Sequence, residues 1–462
     1  MNQIILRGAT VITMAAGRPD FEYLDILVEG SRITKMERHL EMIDAEVVDF
    51  KGRILIPGLV NAHLHSWQAA LRSVGADWTL LEYLAQAHGG LAKHYTPDDM
   101  RIAARACALN QINCGTTTLG DWCHNAQTPE HTDNALQGLI ESGIRAVFLH
   151  GMPHKVRQSP HPMQEVDRLL KGPISAHELL TLGIAIPGPQ YSKSDIALAD
   201  FRCARERDIV VSMHQSGGKP GEAWEAVRNA NLIGPRTNIV HGNEIPDEWL
   251  EIFVDAGASF TSTPENELGQ GHGFPITGRL LCIGSAPSLG TDVDTVVSGE
   301  VLTAARIALA QQRGLDHEQQ RHVSGLFSPK RTITSKQALS WATVEGARAL
   351  GLADRVGRLE IGMQADIVAI DARALNLWPA HDPVATALQA SIANIEAVMI
   401  AGQWHKRDYT LLDRNVHLVK DQLYESGLRL VGVLQSDHLT ARLRQKVINH
   451  VVHRTLIKQS RS

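Results

Sequence analysis

Apolar residues in this chain fall in short runs, and the character of those runs changes twice. Over the first 55 residues, IILRGATVITM, YLDILVEGSRITKME and EVVDFKGRILIPGL are β-rich and broken by Gly and charged turn residues, which predicts short strands. From there to residue 292 the pattern alternates. LIPGLVNAH, NCGTTTLGDW, IRAVFLHG, LTLGIAIPG, DIVVSMH, TNIVHG, GASFTST and CIGSAPSLGTD are apolar strand candidates, and helical stretches such as TDNALQGLIESG fall between them. Strands alternating with helices imply βαβ units and a parallel sheet. Eight such units suit an α/β fold of the (β/α)8 TIM-barrel kind. Spacing alone also allows an open doubly wound sheet, although no GxGxxG follows the first strands.

After residue 355 the strand pattern returns in GRLEIGMQADIVAIDA and EAVMIAGQWHKRD. These runs match the N-terminal set, so the simplest packing is a small β-sandwich built from both chain ends with the barrel inserted. The expected division is 1–56 and 356–410 for the two parts of the sandwich, 57–355 for the barrel, and 411–462 for a C-terminal helical extension. That extension reads as an amphipathic helix from VHLVKDQLYESGL onward with a basic tail.

Composition narrows the partners. A net charge of -5 argues against nucleic acid, whose phosphates need a basic face. No apolar run approaches the roughly 20 residues of a membrane span, and the N-terminus lacks the pattern of a secretory signal. Five scattered cysteines, Cys107, Cys114, Cys123, Cys203 and Cys282, predict a reducing, cytoplasmic setting rather than a disulfide framework. Cys114 and Cys123 lack a base at a defined spacing and read as structural thiols. Histidine is abundant, at 22 of 462 residues, so its placement is the informative question.

Catalytic groups of such barrels sit at the C-terminal ends of strands. After LIPGLV comes Asn61-Ala62-His63-Leu64-His65; after DIVVSM, His214; after TNIV, His241; after Gly290-Thr291, Asp292. Residues i and i+2 of an extended segment share a face, so His63 and His65 would both point into the barrel mouth. A lone His after a strand is usually a satisfied polar residue, and a lone Asp beside Gly a turn residue. The ordered set is far more specific. Imidazoles with one carboxylate make a catalytic Zn²⁺ or Fe²⁺ site.

These residues resemble the amidohydrolase superfamily, in its cytosine-deaminase and triazine-hydrolase branch, over residues 1 to 410. The resemblance is carried by Pro57-Gly58-Leu59-Val60-Asn61-Ala62-His63-Leu64-His65, the Cys114-Gly115-Thr116-Thr117-Thr118 turn, His214, His241, Thr291-Asp292, Ala347 to Leu350, and the stretch from Gly357 to Asp366. It implies a distorted (β/α)8 TIM barrel with one divalent metal ion per chain, Zn²⁺ or alternatively Fe²⁺, and with His63, His65, His214 and Asp292 as ligands. It places His241 against the substrate or the hydroxide. Asp292 then moves the proton of a metal-bound water whose pKa is near 7. Relatives with two metals bridge them with a carboxylated Lys after strand four; here Lys193 lies six residues past Pro187, so a mononuclear site is expected.

One departure matters. The deaminase branch carries Glu three residues after its strand-five His, whereas here that position is Gly217. Replacement acids are Glu265 and Glu267 in Thr263-Pro264-Glu265-Asn266-Glu267, or His272. Relatives place a Cys-Pro-x-Ser-Asn substrate-contacting motif there, and Glu267 falls where its Asn would be. Both glutamates also read as solvated loop carboxylates. Trp67 could stack on a planar ring or belong to the core. His124, after Asp121 and Trp122, and His150 are substrate-pocket candidates, as is His272. His154 is a turn beyond His150. His88 sits in a lid-like segment, Ala85 to Tyr95.

The implied function is displacement of an amino or other leaving group from an sp² carbon of a small nitrogen heterocycle by metal-bound hydroxide. Alternatives are ring-opening of a cyclic amide, as in imidazolonepropionase-like relatives, or a silent metal-binding scaffold. Relatives are often dimers or larger, which implies a homo-oligomer.

Overall fold

The computed structural model describes residues 3–41, 44–153, 159–329 and 331–436. His154 and the basic tail, with His438, His450 and His453, lie outside the described residues. Eight parallel strands pair in sequence order: β1 (Leu59–Leu64), β2 (Thr116–Cys123), β3 (Arg145–Gly151), β4 (Leu180–Ile186), β5 (Val210–Gln215), β6 (Thr237–His241), β7 (Ser259–Ser262) and β8 (Ser288–Leu289). All residues of β1, β2 and β3 are buried, as expected of parallel strands covered on both faces. The stretch CIGSAPSLGTD yields only the two residues of β8. Cys282 ends the helix Thr277–Cys282, Gly284 turns with φ 73°, and only then does the chain extend.

Closure between β8 and β1 is made beyond the end of β8. Asp292 bridges Leu64 in parallel, the amide of His65 donates to the Asp292 carbonyl at 2.8 Å, and that of Asp292 to the His63 carbonyl at 3.0 Å. Gly290 permits this approach: a Cβ there would lie 2.6 Å from the His63 carbonyl oxygen. Away from the site, Val60, Ala62, Val147 and Val210 pack with Ala347 and Leu350, filling the barrel interior.

The crossover helices carry legible caps. Thr96 and Asp99 form a capping box on Pro97–Asn113, and Thr128 caps Pro129–Ser142, which ends at left-handed Gly143.

The β-structure from the two chain ends is a mixed sheet of nine strands. Arg53–Pro57 pairs antiparallel with Ile367–Asp371 and stitches the ends together. The Gly357–Asp366 stretch is not itself a strand; Gly357 and Gly362 turn with φ of 94° and 93° before Ile367 extends. The helix Val416–Ser436 docks on the barrel, with Leu430 fully buried, Ser426 donating to Asp99 at 2.6 Å and Arg429 pairing with the same carboxylate.

Candidate active site

The strand ends bring four predicted groups to one point. One donor atom from each of His63, His65, His214 and Asp292 lies within 4.8 Å of the others. His63 Nε2 is 3.2 Å from His214 Nε2 and 3.2 Å from Asp292 Oδ1, and His65 Nε2 is 3.4 Å from the same oxygen. The Nδ1–H of His65 donates to the Trp122 carbonyl at 2.7 Å, which leaves Nε2 with its lone pair facing the cluster. Burial pushes the imidazole of His63 down to about 4 and that of His214 well below the usual range, so both are neutral donors at pH 7. Burial opposes the charge on Asp292, but His63 and His65 beside it hold it well below the usual carboxylate range. Three imidazoles and one carboxylate, at this separation and with their backbones locked, fit a single divalent ion.

His241 stands beside this group, its Nε2 3.9 Å from Asp292 Oδ2. Its Nδ1 faces Glu267 Oε1 and Thr263 Oγ1, each at 3.3 Å. Burial lowers its pKa, yet the hydrogen bond to Glu267 and the charges of Asp292 and Glu267 prevail and raise it.

The cluster forms the floor of a cavity of about 590 Å³. His65, His214, His241 and Asp292 line its base; His88, His124, His272, Tyr83 and Trp122 line the walls; Leu80, Leu81, Leu84, Met152 and Tyr191 also face it. His124 lies 4.3 Å from His65 between ring centroids, and His272 lies 4.5 Å from His241. His88, in the lid-like segment, bonds the Tyr83 hydroxyl at 2.9 Å and His124 at 3.1 Å.

Four expected contacts are placed elsewhere. Trp67 is fully buried against Tyr95, because the turn Ser66–Leu71 carries it into the core. His150 shares the parity of Phe148 on β3, facing the surrounding helices rather than the barrel interior, and bonds His161 at 2.9 Å. Glu265 is partly exposed and outside the lining, near the charge of Glu300. Glu267 is fully buried behind His241. Its oxygens are engaged by Thr263 N–H at 2.8 Å and the Ser262 hydroxyl at 2.9 Å, and its pKa is lowered; burial alone would raise it, but these bonds and His241 outweigh it. Glu267 is thus held against His241, and it is not among the residues that line the cavity. The residue sequence reasoning missed is its neighbour Asn266, whose amide donates to Asp292 Oδ2. The Asn was visible in the sequence, one position from where the family's pattern was aligned.

With this geometry in place, comparison with known proteins is informative. The model of the amidohydrolase family matches residues 54–405. The chain belongs to the amidohydrolase family. A 5-methylthioadenosine/S-adenosylhomocysteine deaminase of Pelotomaculum thermopropionicum is 26% identical over 458 residues, covering 94% of this chain and 100% of that protein. A 5'-deoxyadenosine deaminase of Methanosarcina mazei is 23% identical over 457 residues, covering 94% and 100%. Among solved structures, the zinc complex of atrazine chlorohydrolase from Arthrobacter aurescens superposes with a TM-score of 0.80 at 22% identity, covering 92% of this chain and 100% of that one. This amidohydrolase shares their fold. Among its described residues no helix is long and apolar enough to cross a membrane.

Proposed function

We propose that this amidohydrolase hydrolyses an amino group, or another leaving group, from an sp² carbon of a small nitrogen heterocycle. The observation that carries the reading is the convergence of His63, His65, His214 and Asp292 on one point at the floor of the cavity, with His241 beside it. Those four would hold one divalent ion, Zn²⁺ in the first instance and Fe²⁺ as the alternative. A divalent ion bound there supplies a water acidified to near neutrality.

The chain's own residues do the rest. Asp292 holds its charge at neutral pH, so it can accept the proton of the attacking water and return it to the departing nitrogen. His241, kept upright by Glu267, presents Nε2 toward the reacting carbon and stabilises the oxygen that gains charge. Asn266 fixes the second oxygen of Asp292. The flat rings of Trp122, His124 and His272 suit an aromatic heterocycle. The names of the matched deaminases and of the atrazine chlorohydrolase support an amino or chloro leaving group. The reading includes a cytoplasmic setting, which five unpaired cysteines support, and a homo-oligomer.

The test is a screen of metal-loaded protein against purine nucleosides, pterins, pyrimidines, triazines and imidazolones, following ammonia and ring absorbance separately. Ammonia with the ring intact is the expected result. Loss of ring absorbance without ammonia would replace displacement by ring opening, and silence on every ring with one metal bound would favour a scaffold.

A further inference from the structure

Replacing an amino group on a ring carbon by water moves protons at four points: the water, the ring nitrogen, the new C–OH and the departing nitrogen. Attack forms the C–O bond while Asp292 takes a proton from water, and the adjoining ring nitrogen must gain a proton as the C=N bond opens. In the second half the proton on Asp292 leaves with the nitrogen as ammonia, and the new C–OH must lose its own proton as the C–N bond breaks. A second acid–base group beside the ring nitrogen would share these transfers with Asp292. Among the described residues, Asp292 is the only carboxylate in the cavity lining, and Glu267 is locked behind His241. His272 packs against His241, with 4.5 Å between ring centroids, and burial pushes it down to about 4.

Beside the lining residues Ser216 and His272 stands a candidate that the strand-end pattern does not single out. Glu244 follows β6 three residues after His241, so the His-x-x-Glu spacing absent at His214 is present one strand along. Its side chain is exposed between two glycines. A Cβ on Gly217 would lie 4.0 Å from both Cβ and Cγ of Glu244. A Cβ on Gly273 would lie 3.0 Å from Glu244 Oε1, and the φ of Gly273, 114°, disfavours any other residue. Gly217 adjoins Ser216 and Gly273 adjoins His272, both of which line the cavity. Asn243 clamps the two loops together, its amide donating to the Phe274 carbonyl at 2.9 Å. The Glu244 carboxylate itself has no hydrogen-bond or ion-pair partner among the described residues, so no interaction holds it away from a bound ring.

Resting on the proposed function, we infer that Glu244 is the second acid–base group: it reaches through the gap left by Gly217 and Gly273 to protonate the ring nitrogen, and takes back a proton from the C–OH as the C–N bond breaks. The experiment uses full-length, metal-loaded protein and the best ring from the substrate screen. Glu244→Gln should lower kcat by about a hundredfold or more with KM and metal content little changed. Gly217→Glu has room in the fold, and in the Glu244→Gln background it should restore kcat to within about tenfold of wild type. Calorimetric binding of the product ring should weaken about tenfold in Glu244→Ala, a loss that does not depend on turnover. Wild-type turnover and ring affinity in the Glu244 variants would overturn the assignment while leaving the function standing. Loss of kcat with no recovery in the double variant would overturn the view that the two positions serve one spot. Wild-type protein that neither binds nor converts any ring would sink the functional reading, and this assignment with it.

Discussion

His241 and Asp292 both have left-handed backbones, with φ of 70° and 63°, which is uncommon outside glycine. Each such residue costs of order 1–3 kcal/mol and persists only where its surroundings over-determine it. Here the surroundings are identifiable: Glu267 grips His241, and the His63 backbone and Asn266 grip Asp292. Glu267→Gln keeps the volume and removes the charge that raises the pKa of His241. We expect kcat to fall about ten- to a hundredfold with metal content unchanged. A full kcat would show that His241 needs no carboxylate behind it. A second residue-scale prediction lies away from the site. Burial pushes Asp200 up to about 7 from 3.8, while the amide of His161 pulls the other way. Its native pKa exceeds its unfolded one, so the native state binds the extra proton between those values and stability falls as pH rises through them. Asp200→Asn keeps an acceptor for the His161 amide, which donates at 2.7 Å. It should flatten that limb of the stability curve, at about 1.4 kcal/mol per pH unit, and raise the urea midpoint at pH 8. An unchanged midpoint at pH 8 would refute the buried charge.

At the scale of elements, the contact between β3 and the mixed sheet is ionic. Arg145, fully buried at the start of β3, grips both oxygens of Asp366 at 2.9 Å. Removing one partner leaves the other charged and dry, so Arg145→Met should cost about 3–5 kcal/mol, and Arg145→Met with Asp366→Leu much less. Equal losses in the single and double variants, by urea unfolding, would deny the coupling. Asp366 also shows how far elements were legible. Its stretch from Gly357 was readable as a pattern, yet its conformation was not, because two glycines turn a run that looks extended. The barrel strands were legible because burial on both faces leaves continuous apolar runs, and the metal-type residues because they interrupt those runs at their ends. The walls of the cavity were not. His150 follows an apolar run just as His214 does, and only the in–out parity of β3 sends it outward. Trp67 follows the HxH pair, and only the turn at Ser66 takes it from the pocket. Glu244 lies three residues beyond a strand end, and only the loops around it set it against Gly217 and Gly273.

For the whole molecule, the weakest point of the barrel and the candidate metal site coincide. Seven neighbouring strand pairs close the sheet from β1 to β8, but β8 has only two residues, and the last seam depends on the Leu64–Asp292 bridge and the amides of His65 and Asp292. His63 and His65 stand on one side of that seam and Asp292 on the other. An ion held by them is thus a staple across the gap, and without it their lone pairs and charge crowd together with no cation between. Binding to the native state alone stabilises by RT ln(1 + [L]/Kd), about 4 kcal/mol when the free ion is a thousandfold above Kd. Chelation should therefore lower the unfolding temperature, and its local signature should be faster amide hydrogen exchange at His65 and Asp292. Exchange in the antiparallel pair of Arg53–Pro57 with Ile367–Asp371 should stay unchanged, since the mixed sheet shares no strand with the seam. His63→Ala should reproduce the chelated pattern whether or not metal is added. Uniform acceleration over both sheets would mean that the ion stabilises the fold globally and does not staple the seam, whereas no change at His65 and Asp292 would mean the barrel closes without it.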